Sequence, residues 1–118
     1  MQLRLDHDQF CRVVAGTKTI EIRLNDAKRR HLRPGETLTF TDLTTRATHT
    51  VQVGAIEWFP TFAALYTRYG GLQVGSTPTD SVAQMVADTY RCYTPAQEAE
   101  AGVLALHLKE VPHEDRMA

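Results

Sequence analysis

Hydrophobic and polar residues alternate along this chain in segments short enough to read one at a time. Leu3 and Leu5 flank Arg4 within residues 2–6, the period of two that marks a half-buried strand. Phe10, Val13 and Val14 then recur at i, i+3 and i+4, which predicts a helix over 9–15. Asp8 is placed to cap that helix, and Gly16 to end it in the left-handed conformation. Alternation returns over 19–24: Ile20, Ile22 and Leu24 point to the core, and Thr19, Glu21 and Arg23 share the opposite face. Lys18 stands at the entrance of this strand. Asn25 or Asp26 can cap a single helical turn carrying Lys28 to His31, and Pro34-Gly35 turns the chain. A strand follows over 36–42, with Leu38 and Phe40 inward and Thr37, Thr39 and Thr41 outward.

A polar hairpin loop over 43–47 leads into a long strand, 48–59, whose phase changes midway. Val51 and Val53 have one parity, Ile56 and Trp58 the other, and a bulge at Gly54 would restore a common inward face. Thr61 opens a helix bearing Phe62, Leu65 and Tyr69, which Gly70-Gly71 stops, and 72–80 reads as loop. Ser81 with Gln84 predicts a capping box ahead of Val82, Met85, Val86 and Tyr90. Thr94-Pro95-Ala96-Gln97 repeats the signal, with proline at the first helical position. Gly102 precedes a last strand, 103–111, with Leu104, Leu106 and Leu108 inward and His107 and Lys109 outward.

These elements amount to about five strands and four or five short helices in mixed order, without a βαβ rhythm. The expected fold class is therefore α+β, with a small, bent, largely closed sheet. At 118 residues the chain is about one domain, 1–111, followed by a polar tail, 112–118. A hydrophobic share of 42% with 23% charged residues predicts an ordered globule. No run approaches the roughly 20 apolar residues of a membrane span, and the N-terminus has no signal core. Cys11 and Cys92 are too few for a disulfide framework and read as reduced, half-buried thiols. Together these features predict a cytoplasmic protein with no membrane partner. No two of the five histidines have the i, i+4 spacing of a helical metal site, and no phosphate-binding or dinucleotide loop is present. Neither a metal nor a cofactor is expected.

Charge changes the picture. Six of the thirteen Lys and Arg residues lie between Lys18 and Arg33, accompanied by only Glu21 and Asp26, so residues 16–33 carry +4 against −5 for the rest. A near-neutral chain with so dipolar a charge map suits an anionic partner, phosphate above all. Lys18 offers a point charge, Arg23 a planar fork for phosphate, and Glu21 a carboxylate to hold either cation or to read a base amino group. A structural ion pair on the strand face would use the same residues. Lys28, Arg29, Arg30 and Arg33 can touch several phosphates or form an ordinary solvated turn. Trp58, Tyr66, Tyr69, Tyr90 and Tyr93 are available to stack on bases; Tyr93, just past a helix end, is the least committed to the core.

The pattern Gly16-x-Lys18-x-x-Glu21-x-Arg23, followed by Leu24-Asn25-Asp26, the basic run and Pro34-Gly35-Glu36, resembles the ASCH domain family of the PUA-like superfold. The stretch from Tyr90 to Gly102 and the closing strand also look like small prokaryotic members. The resemblance implies a small β-barrel with flanking short helices, and binding of RNA, a nucleotide or a nucleoside in a cleft beside the motif strand. It carries Lys18, Glu21 and Arg23 over as cleft residues and the basic turn more weakly. It also implies an enzymatic alternative, with Lys18 and Glu21 in catalytic roles. Some small ASCH proteins deacetylate N4-acetylcytidine with a Lys, a Thr and a Glu; here Lys18 matches the lysine, Glu21 replaces the threonine, and 72–79 holds no counterpart to the distant acid. A carboxylate in place of a hydroxyl removes the expected nucleophile or donor. A ribonuclease, with Lys18 stabilising phosphate charge and Glu21 as base, is the further variant.

Overall fold

A computed structural model describes residues 1–111. Nine elements follow one another: β1 (Gln2–Leu5), α1 (His7–Ala15), β2 (Ile20–Leu24), β3 (Thr37–Asp42), β4 (Thr48–Phe59), α2 (Phe62–Tyr69), α3 (Val82–Thr89), α4 (Pro95–Ala101) and β5 (Val103–Glu110). The expected tail at 112–118 lies outside the described residues. All five strands join one sheet in the order β1-β3-β4-β5-β2, antiparallel except for the parallel β1–β3 pair.

The sheet curls into a half-barrel, and a bulge in its longest strand is one cause. Val53 stands opposite Leu108 and Ile56 opposite Leu106, so β4 uses one more residue than β5 between those pairs. Gly54 sits in the bulge, where a side chain would press on the stem of Lys109. The two edges, β1 and β2, approach across an open seam. There the Arg23 guanidinium donates to the Arg4 carbonyl at 3.2 Å in place of a ladder of backbone bonds.

Both faces of the sheet are covered, because α2 and α3 pack on the outside while α1 packs within the curl. The inner core gathers Leu3, Leu5, Phe10, Val13, Leu38, Phe40, Val51, Val53, Leu104 and Leu106. The outer core sets Ile20, Leu24, Val103 and Ala105 against Phe62, Leu65 and Tyr66 of α2 and Met85 of α3. Strand β5 is consequently buried on both faces from Val103 to Leu106, not on alternate residues as its leucines suggested. Each full burial of such a side chain contributes about 1.5–3 kcal/mol.

Local signals set the helix ends. Asp6, not Asp8, caps α1 by accepting from the Gln9 amide at 3.0 Å, and the helix accordingly starts two residues earlier than predicted. Gly16 ends it at φ 83°, in the left-handed region that favours glycine. Val14, assigned to the helix stripe, is half exposed. Thr61, Ser81 and Thr94 cap α2, α3 and α4, each bond adding about 1 kcal/mol. Only the box at Thr94–Gln97 is reciprocal; Gln84 turns instead to Asp88, so Ser81 caps alone. Trp58 is 57% exposed rather than inward: it lies over Gly102 and donates to the Ala101 carbonyl at 3.3 Å. The two cysteines are exposed, not half-buried.

Candidate nucleic-acid interface

The motif strand is an edge strand, which explains how its charges come to be buried. Glu21 and Arg23 pair with Leu106 and Leu104, so they share the inner face with those leucines at the rim of the half-barrel. Glu21 is only 2% exposed and Lys18 6%. One Glu21 oxygen accepts from Lys18 Nζ and the other from Arg23 Nε, both at 2.7 Å. Lys18 Nζ also donates to Gln9 Oε1 at 2.8 Å, and Gln9 Nε2 donates to the Gly75 carbonyl at 2.8 Å. Gly75 has φ 93°, and a Cβ there would overlap both Gln9 Oε1 and the Lys18 stem. The glycine is thus required twice, for its backbone conformation and for this close approach.

Burial by itself would raise the Glu21 carboxyl, but the Lys18 ammonium and Arg23 guanidinium outweigh it and hold the group below the ordinary carboxylate range. Burial would lower Arg23, yet Glu21, helped by the Tyr93 hydroxyl, raises it. The Glu21 carboxylate and the Arg23 guanidinium therefore stay charged together. Buried ions of this kind cost desolvation and seldom stabilise a fold more than apolar residues would; here the shared carboxylate holds both cations in one arrangement.

Two hollows open along the seam. The first, about 540 Å³, runs beside the free edge of β2. Lys18, Glu21 and Arg23 line it together with Gln9, Tyr66 and Tyr93. Tyr93 stacks on Phe62 at 5.7 Å between ring centroids, which fixes the plane it presents. The second hollow, about 600 Å³, is lined by Met1, Gln2, Leu3, Arg4, Arg23, Lys28, Arg29 and Leu43. Arg4, Arg23 and Leu43 belong to both and form the partition between them. Asp26 builds the cationic turn: its side chain accepts from the Lys28 and Arg29 amides, its carbonyl from the Arg29 and Arg30 amides, and it pairs with the Arg29 guanidinium.

The structure thus brings Lys18, Glu21, Arg23 and Tyr93 to the first hollow and Arg23, Lys28 and Arg29 to the second. Arg30 and Arg33 are exposed and line neither. Arg4 and Gln9 were not singled out from sequence. An arginine outside the basic run and a helix glutamine carry no pattern of their own, and only the seam brings them to the motif. Among the described residues, no group of three or more His, Cys, Asp and Glu could hold a metal ion, and no helix is long and apolar enough to cross a membrane.

A helix-flanked half-barrel with a charged, hollowed seam defines a small PUA-like α+β domain. The chain belongs to the ASCH domain family, whose model matches residues 3–112, and that family is linked to RNA binding. Three solved structures share the fold. A crystal structure of a hypothetical protein, PH0355, has a TM-score of 0.80 at 26% identity, covering 93% of this chain and 97% of that one. A solution structure from Pyrococcus furiosus has a TM-score of 0.68 at 24% identity, covering 96% and 100%. A serine-to-alanine mutant of ZmASCH from Zymomonas mobilis has a TM-score of 0.64 at 16% identity, covering 92% and 66%. No curated protein matches the chain.

Proposed function

We propose that this protein binds single-stranded RNA along the seam, one nucleotide entering the first hollow while adjoining phosphates lie in the second. The observation that carries the reading is the shared partition. Arg4 and Arg23 join a hollow with an aromatic wall to one lined by four cationic side chains and no acid. A base has apolar faces and hydrogen-bonding edges, which suit Tyr93, Tyr66 and the polar groups around Lys18. Phosphates suit Arg4 and Lys28, neither of which has a carboxylate partner among the described residues.

Nothing observed specifically favours the hydrolase alternative with Lys18 and Glu21 as catalytic groups. Each is held by the other, and no histidine lines either hollow.

The test is fluorescence anisotropy with a short single-stranded RNA over a range of salt concentrations. Affinity should fall with a log–log slope of about −0.7 per phosphate contact, and Arg4→Ala should make that slope shallower. A free nucleoside should compete far less well than a dinucleotide carrying its linking phosphate. Binding unaffected by Arg4→Ala and Lys28→Ala together would overturn the assignment of the second hollow. Absence of binding at low salt would overturn the reading as a whole.

A further inference from the structure

Outside both hollows, the most exposed large hydrophobic side chain among the described residues is Trp58. It is exposed but not loose. Its indole packs directly on Gly102, where a Cβ would overlap the ring nitrogen and the carbons beside it, and that nitrogen donates to the Ala101 carbonyl at 3.3 Å. Gly102 has φ 72°, so the seat requires glycine for its backbone as well as for the close approach. The bulge in β4 decides which way the ring goes, since Ile56 and Trp58 reach the inner face only through that change of parity.

Register places the ring relative to the seam. Trp58 stands opposite Leu104, and Leu104 opposite Arg23, so the three form one row across β4, β5 and β2 with their side chains on the same face. Two strand spacings put the Trp58 backbone about 10 Å from that of Arg23, and Arg23 lines both hollows. The basic turn begins at the seat of the indole, because the Asn25 amide donates to the Gly102 carbonyl at 3.0 Å. Leu32 then carries the turn into the inner core that Leu104 also joins, while Lys28 and Arg29 line the second hollow. The acid at the start of the turn, Asp26, is paired with the Arg29 guanidinium, which offsets its charge.

We propose that Trp58 is a second stacking platform of the RNA site, holding an unpaired base of a strand that has left the second hollow past the start of the basic turn. The inference rests on the proposed binding along the seam and extends it to a longer strand. An indole stacks on any base without reading its edge, so it adds affinity and a preference for length but none for sequence. Because the ring is already fastened, little freedom is lost when a base settles on it. The cationic turn beside it favours a nucleic-acid strand over an apolar protein segment as the occupant.

Trp58 is the only tryptophan in the chain, so indole emission excited at the red edge of its absorption reports on this place alone. The full chain is titrated with a mixed-sequence single-stranded RNA of about eight nucleotides and, separately, with a dinucleotide. Binding is followed by anisotropy of a labelled strand, directly or in competition, beside the emission. The longer strand should quench Trp58, and the dinucleotide, which fits within the hollows, should not. Trp58→Ala should weaken the longer strand at least about fivefold more than the dinucleotide, with the salt slope unchanged, and Trp58→Phe should recover part of the loss. A longer strand that binds by anisotropy without changing the emission, a result that requires no variant to fold, would overturn the proposal, leave the seam reading intact and leave the indole to a protein partner. Equal losses for both ligands in Trp58→Ala would also overturn it, since a contact that only supports the fold acts on both alike. Absence of binding by either ligand would overturn the seam reading and this extension with it.

Discussion

The two seam hollows share a wall yet hold their charges in opposite ways. In the first, the cations of the G-x-K-x-x-E-x-R motif are spent internally, because Lys18 and Arg23 both close on Glu21 beneath the surface. In the second, Arg4 and Lys28 face the opening with no acid in the lining. Ions that satisfy each other fix positions, whereas cations without partners attract a ligand. In the proposed reading the motif is therefore the frame of the interface, and the neighbouring turn would supply much of its attraction for phosphate. The same difference separates variants that should unfold the protein from variants that should only weaken binding.

The largest effect is expected at the hub of the frame. Glu21→Ala leaves a buried ammonium and a half-buried guanidinium without their shared acceptor, a loss of about 3–5 kcal/mol. Urea unfolding measures it, and a loss below about 1 kcal/mol would mean that water already screens the triad. Acid should reproduce part of the effect. The folded-state pKa of Glu21 is depressed, so its stabilisation is present above the ordinary value of 4.5 and disappears as pH falls through the lower folded value. Asp42, where the His7, Thr44 and Thr45 hydrogen bonds overcome the effect of burial and hold the carboxyl at about 2, acts in the same direction. His7 has the opposite sign. Its pKa is raised from 6.5, so its contribution is full below 6.5 and fades as pH rises through the raised value. Thermal unfolding against pH should be flatter on the acid limb in Glu21→Gln and flatter on the alkaline limb in His7→Gln.

Binding variants should separate the hollows more finely. Tyr93→Ala removes a stacking surface and should cost about 1–3 kcal/mol of RNA affinity with the salt slope intact. Lys28→Ala should act in reverse, with a smaller loss at moderate salt and a slope shallower by about 0.7. Titrations at several salt concentrations distinguish the two. If Tyr93→Ala changed the slope and Lys28→Ala did not, the assignments of base and phosphate would have to be exchanged.

Much of this frame was legible in the sequence because it rests on local rules. Period-two alternation gives β2 and β3, and the change of parity around Gly54 gives both the bounds of β4 and its bulge. What escaped is set by the curl. Alternation tells which residues share a face, but not that both faces are buried, and so Glu21 read as outward although it lies beneath the rim. Leu104 and Ala105 are both buried because β5 lies between two cores. Arg4 meets Arg23 only because β1 and β2, distant in sheet order, become the two lips of the seam. The His7–Asp42 pair was hidden for a related reason: its imidazole stands on α1, but its carboxylate arrives from β3.

The finest division falls within the basic turn, where four cations close in sequence differ in place. Lys28 and Arg29 line the second hollow, whereas Arg30 turns its Nε back toward the Asp26 carbonyl at 3.4 Å and Arg33 is exposed beyond it. A cation outside the contact surface acts only through solvent, where charges fade over a Debye length of about 8 Å at physiological salt. Arg30→Ala and Arg33→Ala should therefore lower RNA affinity slightly at low salt and by less than about 0.5 kcal/mol at physiological salt, with the limiting slope retained. Lys28→Ala is the paired measurement. Should all three variants lose equal affinity and slope, the turn would be acting as an undivided cloud of charge, and the second hollow would no longer mark the path of the strand.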